Sequence, residues 1–442
     1  MQLYPFQDAN GLLQSVPMPD LVLLRQRFPR PRILDIHNAM YSTLNSVGIA
    51  TRLRPGMRIA ISVGSRGIAD IASITRALVR VLRQYETDPF IVPAMGSHGG
   101  GTAEGQKEVL TSLGITEEYT GAPILSSLEV DLLGTLPNGL PVHMDRVANT
   151  ADGIIVLNRI KPHTDFSASI ESGLAKMVAI GLGKHAGALA IHSWGIEGLS
   201  YCIPEVARFA VAHSPILCGV AIIENAYDEV ADIIAVEPEG IGDEAERALL
   251  QRAKEIMPRL PWEQLDVLVI DTMGKNISGA GMDTNIIGRI RCIDQQKTTA
   301  TSITNISVHD LTKESHGNAI GLGLADFTTT RLIEKLDTQS FYINCLTAGV
   351  IAMNSGKIPM VLSTDQEAVA AAIRTCGRPD SPRVRLARIE NTLRLEYILA
   401  SPSSLEQLRS GCDVELLGSP MPFDFAVDGS LFPFEKIRRV HN

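Results

Sequence analysis

Nothing in the sequence is basic enough to track a phosphodiester backbone. Lys and Arg are scattered and the formal net charge is −9, so nucleic acid is not an expected partner. No apolar run approaches the ~20 residues of a membrane span, and the opening MQLYPFQDANG lacks the basic segment and apolar core of an export signal. A soluble, cytoplasmic chain with no membrane partner is the expectation. Cys202, Cys218, Cys292, Cys345, Cys376 and Cys412 stand far apart, without C-x-x-C or C-x-H spacing. That excludes zinc or iron–sulfur sites built from sequence-local cysteines and predicts small buried hydrophobes in a reducing compartment. Internal repeats and low-complexity tracts are also missing.

What remains is a chain of 442 residues, 45% of them hydrophobic. At ~100–200 residues per domain this length predicts two domains. From Met57 onward, short apolar runs alternate with amphipathic stretches. Strands are predicted at Arg58–Val63, Phe90–Ala94, Gly153–Leu157, Ile216–Ile223 and Leu265–Asp271. A helix follows the first strand, because Ile68, Ile71, Ile74, Leu78, Val81 and Leu82 recur at three- and four-residue steps. Thr102 is placed to cap the next helix, which Leu113-Gly114 closes. Further helices are predicted at Pro204–Ala212, Gly242–Ile256 and Gln366–Cys376. Phe341–Cys345 reads as a strand, and Val384–Ile389 with Leu393–Leu399 as a hairpin. This alternation predicts an α/β fold of two domains with mostly parallel sheets. Pro258 and Pro261 put the boundary near 260, giving residues 1–260 and 261–442, with an active-site cleft expected between them.

Ligands of open α/β sheets gather at the carboxyl ends of strands, where Arg66 and His98 fall. The densest polar stretch runs from Asn158 to Trp194 and holds His163, His185 and His192, three of the ten histidines. A lone histidine is usually structural, the reading given to His37, His143, His213 and His441, with His309 and His316 left open. His98 and His163 differ, since each follows a strand-like run beside helix-breaking residues. An imidazole there can take or return a proton near neutral pH. The loop Gly96–Gly101 reads G-x-x-G-G-G, not the dinucleotide fingerprint, and is first of all a tight strand-to-helix turn.

The run Gly96-Ser97-His98 with Glu104, the Pro162-His163 pair, and Ser172-Gly173-x-x-Lys176 with Gly181 and His192 together resemble the lactate racemase family of nickel-pincer-nucleotide enzymes. The resemblance covers residues 55–200 most strongly. It implies that Lys176 holds a pyridinium-3-thioamide-5-thiocarboxylic acid mononucleotide carrying nickel, that His192 ligates the metal, and that His98 and His163 relay protons. Ser65, Arg66, Gly96 and Gly181 then belong to the cofactor site, and Arg66, Asn285 and Arg291 to the substrate site. The implied activity is inversion of the C2 centre of a 2-hydroxy acid, by hydride transfer to and from the cofactor.

The family reads Asp-x-Thr-Arg-Pro where this chain has Val63-Gly64-Ser65-Arg66-Gly67, and Gly288 and Arg291 stand where lactate racemases tend to carry glutamine and lysine. These changes point to a hydroxy acid other than lactate. The expected partners are that acid, the proteins that make the cofactor, and other copies of the chain in a homo-oligomer. Two alternatives are a nicotinamide-dependent hydroxy-acid dehydrogenase, which the missing fingerprint disfavours, and a non-catalytic carrier of a small carboxylate or the cofactor. Lys184 and His185 are read as polar lining, because Lys184 lies only eight residues from His192.

Overall fold

Every residue of the strand Arg58–Val63 beyond Arg58 is buried, the mark of a strand covered on both faces. It lies inside a five-stranded sheet in the order Asp88–Pro93, Arg58–Val63, Gly153–Arg159, Ile216–Glu224, Val230–Val236. The first four strands are parallel and the last is antiparallel to its neighbour. The helix Ile71–Gln84 buries Ile71, Ile74, Leu78, Val81 and Leu82, the stripe that its spacing predicts. These residues pack with Ile59, Ile61, Val63, Ile155 and Val220 into one core. The helix starts three residues later than Ile68, after Asp70 in a left-handed conformation (φ 54°).

In this computed structural model, residues 11–65, 67–290, 301–378 and 383–441 are described, without the side chains of 347–352 and 439–441. Arg66, Arg291 and Cys292 therefore lie outside the described residues. The chain divides into two units: Pro29–Met257, which holds the five-stranded sheet, and Pro258–Asn442, which is joined by the segment ending at Phe28.

The second unit is built on an eight-stranded sheet ordered Met360–Leu362, Phe327–Thr329, Ser302–Val308, Gln264–Ile270, Leu386–Ile389, Tyr397–Ala400, Leu21–Arg27, Asp413–Met421. The first five strands are parallel and the last three alternate. Leu386–Ile389 and Tyr397–Ala400 pair antiparallel, as the hairpin signal requires.

Two expectations are corrected. The division is not at a single point near 260, because Leu21–Arg27, whose Leu21 to Leu24 are at most 2% exposed, pairs on both edges with strands from the end of the chain. Phe341–Cys345 is not a strand but part of the helix Thr338–Ser355. Phe341 and Cys345 are buried four residues apart while Tyr342, Ile343 and Leu346 are exposed, a one-sided helical pattern that a five-residue apolar run cannot disclose. Among the described cysteines Cys412 is exposed, against expectation, and the others are buried.

Candidate active site

Parallel strands end on one side of their sheet, and three neighbours deliver the predicted polar residues there. Ser65 follows Arg58–Val63, His98 follows Asp88–Pro93, and His163 follows Gly153–Arg159. The register pairs Val63 with Pro93 and Ser62 with Val156, so the three loops leave the sheet at one level. Ser65 Oγ lies 2.5 Å from His98 Nδ1. His98 is exposed, and its loop is shaped by left-handed Gly96, Gly99, Gly100 and Gly101. A Cβ on Gly99 would lie 2.7 Å from the Gln106 backbone nitrogen, so glycine is required where the loop meets its helix. Thr102 caps that helix by accepting from the Gly105 amide, as predicted.

His163 is half-buried and stacks on Phe166 with ring centroids 4.4 Å apart. Its Nδ1 accepts from the Asp165 amide at 3.0 Å, and its Nε2 lies 2.6 Å from Lys176 Nζ. The His163 backbone amide donates to Glu171 Oε2 at 2.6 Å. Glu171 is buried and paired through Oε1 with Lys254 Nζ at 2.7 Å.

Lys176 sits in the first turn of a helical segment, Leu174–Lys176, that continues as the π-helical turns Met177–Leu182. A second arm, Lys184–His192, leaves it at 110°. An unbroken helix would hold Lys176 and His192 about 24 Å apart, at 1.5 Å per residue; the bend shortens that path. His192 senses the result. Surrounding protein holds its pKa below the ordinary imidazole value, the positive charge of Lys176 adds to the effect, and Asp165 opposes it. His192 still keeps an exposed surface, at the end of its helix.

The corner of the bend is Lys184, left-handed (φ 52°) and wholly buried. Its Nζ lies 2.9 Å from Asp145 Oδ2, an ion-pair contact off hydrogen-bond alignment, and donates to Pro93 O and, at 3.3 Å, to Gln106 Oε1. Gln106 Nε2 in turn donates to the carbonyls of Gly96 and His98. Burial lowers the Lys184 pKa, while Asp145 opposes that shift. The expectation that Lys184 lines a cleft is therefore corrected: it ties the bent helix to the His98 loop from within the core.

The glycines at the predicted cofactor site are explained by packing. A Cβ on Gly96 would meet Ile180 at 3.1 Å, and one on Gly181 would lie 2.7 Å from Ala94 O. Asn285, in the other unit, donates from its side chain to Asp283 Oδ1 at 2.9 Å. Sequence reasoning missed Glu171 and Glu246. Glu246 falls on the buried stripe of the helix Glu244–Ile256 with Leu250 and Ala253, and a carboxylate on an apolar stripe is a readable signal.

Among the described residues no single helix is long and apolar enough to cross a membrane, and no cluster of three or more His, Cys, Asp or Glu is placed to hold a metal. Comparison with known proteins fits the site's location. Residues 29–198 match the family model described as lactate racemase N-terminal domain, inside the Pro29–Met257 unit. The structure is similar to that of the lactate racemase apoprotein from Thermoanaerobacterium thermosaccharolyticum, with a TM-score of 0.51 at 12% identity, covering 84% of this chain and 98% of that one. A Thermotoga maritima protein has a TM-score of 0.46 at 13% identity, covering 78% of this chain and 84% of its own. Comparison with curated protein sequences finds no match. Residues 29–198, which hold His98, His163, Lys176 and His192, are therefore similar to the lactate racemase N-terminal domain, and the chain shares its fold with a lactate racemase apoprotein.

Proposed function

We propose that the chain is a racemase or epimerase that inverts the C2 centre of a small 2-hydroxy acid, with His98 and His163 as acid/base pair. The observation that carries this reading is His163 Nε2 at 2.6 Å from Lys176 Nζ, with His192 in the field of that lysine. The substrate hydroxyl points to opposite sides in the two enantiomers, so inversion in both directions needs a proton acceptor on each side. Imidazoles on two separate strand-end loops meet that need. Each is oriented through Nδ1, His98 by Ser65 and His163 by the Asp165 amide, and His163 Nε2 faces Lys176 Nζ. In the same proposal Arg66, Asn285 and Arg291 hold the substrate carboxylate, and Ser65, Arg66, Gly96 and Gly181 border the cofactor.

The donor set fits the family's nickel-pincer nucleotide. His192 offers one imidazole and no cluster of further ligands surrounds it among the described residues, so a metal here needs other donors from an organic ligand. Imidazole suits nickel, and Lys176 supplies an amine for a covalent tether. When bound, that nucleotide supplies the hydride acceptor and donor. The lowered pKa of His192 favours the neutral ring, the form that ligates a metal. We further propose a cytoplasmic protein that depends on partner proteins for cofactor synthesis.

Protein produced together with the cofactor-synthesis proteins is incubated with single enantiomers of lactate and of larger 2-hydroxy acids, and the products are resolved by chiral chromatography. The reading predicts the opposite enantiomer from at least one acid. Accumulation of a 2-keto acid with added nicotinamide cofactor identifies a dehydrogenase instead, and binding without turnover identifies a carrier.

A further inference from the structure

One helix contacts the neighbours of both Lys176 and His163. Near its amino end, the buried Glu246 carboxylate accepts from the Ala175 amide through both oxygens, each at 3.1 Å, and from the Gly242 amide at 2.9 Å. It thereby closes the amino end of the segment in which Lys176 is the next residue. Gly173 makes this approach feasible, since a Cβ there would lie 2.2 Å from Glu246 Oε1. Asn158 holds the other side of the turn by donating to Gly173 O at 2.7 Å. Eight residues on, about 12 Å along the axis at 1.5 Å per residue, Lys254 pairs with Glu171, whose other oxygen accepts from the His163 amide.

We propose that the helix Glu244–Ile256 is the alignment element of the site: Glu246 sets the position of Lys176 and the Lys254–Glu171 pair sets that of His163, so that the spacing between the two is fixed from one rigid element. Glu246, Glu171 and Lys254 are positioning residues that contact neither substrate nor cofactor. A buried carboxylate serves here because it costs stability unless its acceptor sites are filled. Backbone amides fill them: that of Gly242, just before the helix, and that of Ala175 in the Lys176 segment. Burial raises the Glu246 pKa and the amide donors oppose that rise, the balance expected of a carboxylate held for its hydrogen bonds.

This inference rests on the reading of Lys176 and His163 as acting residues, and its test uses the full chain without cofactor, so it fails independently of the nickel reading. The variants are Glu246→Gln, Lys254→Met and Lys254→Arg. Each is followed by hydrogen exchange of the peptides spanning 160–166 and 172–178, and by limited acetylation of Lys176 with acetic anhydride, scored against exposed Lys107. Alignment through one helix predicts that Lys254→Met, which removes the pair with Glu171, changes Lys176 acetylation several-fold. Exchange of the His163 peptide should rise about tenfold, as for a lost hydrogen bond to a charged group. Lys254→Arg should restore both, and Glu246→Gln should speed exchange in both peptides. If each variant loosens only its own side, with Lys176 acetylation unchanged by Lys254→Met, the single alignment element is wrong. Should Glu246→Gln fail to fold, the two Lys254 variants decide alone.

Discussion

His163 and His309 each follow a parallel strand, and their surroundings are opposite. His309 is sealed: its Nδ1 lies 3.0 Å from Asp365 Oδ1, its Nε2 3.0 Å from Ser307 Oγ, and it has no exposed surface. Arg331 donates to both oxygens of that aspartate at 2.9 Å. Serine, histidine and aspartate in that order match a nucleophilic triad in residue type, but Ser307 is fully buried and cannot meet a substrate. His163 keeps partial exposure and turns Nε2 toward an amine rather than toward a buried hydroxyl. Residue identity is therefore a poor guide to chemistry until what covers the strand end is known.

The sharpest break between the two histidines is in turnover. His163→Ala and His98→Ala are each expected to lower racemisation by about 10²–10⁴-fold, the span of a lost general acid or base, whereas His309→Ala leaves turnover per folded molecule unchanged. Chiral product assays on purified, folded protein separate these outcomes. Next in size is Asp145→Asn, which leaves the Lys184 charge uncompensated in the core and should cost about 3–5 kcal/mol in urea unfolding. A loss below about 1 kcal/mol would mean that Lys184 is not held as an ion. His309→Ala should cost about 1–3 kcal/mol, by stranding Asp365 and Ser307.

A smaller effect probes the orientation of His98. Ser65→Ala removes the contact at its Nδ1 and should lower turnover about tenfold without lowering the melting temperature; an unchanged rate would assign Ser65 elsewhere. The smallest effect is one of pH. Burial lowers the His143 pKa, so the fold favours the neutral ring. Its contribution to stability is complete above the ordinary imidazole value of about 6.5 and is lost as pH falls below it. His143→Gln should flatten the fall in urea-unfolding stability between pH 7 and 5.

The strands and helices around the site were legible where periodicity was long or caps were explicit, as at Ile71–Gln84 and Thr102. His98 and His163 could be placed at strand ends because the apolar runs before them were clear. The edge strand Leu21–Arg27 could not be assigned to its sheet, because its partners lie near the far end of the chain and pairing over such a span leaves no local mark. Lys184 shows the same limit on a smaller scale. Beside a histidine and a glycine it reads as polar lining, and only the distant Asp145, Pro93 and Gln106 reveal a buried corner. Glu171 and Glu246 act through backbone amides, which no side-chain motif records.

The central claim is that Lys176 carries a nickel-bearing nucleotide. Intact mass and metal content, measured on protein made together with the cofactor-synthesis proteins and on its Lys176→Ala variant, test it most directly. The account predicts a nucleotide-sized adduct with about one nickel in the wild type and neither in the variant, since a lone imidazole holds nickel weakly. An unmodified, nickel-free wild-type protein under those conditions would contradict it.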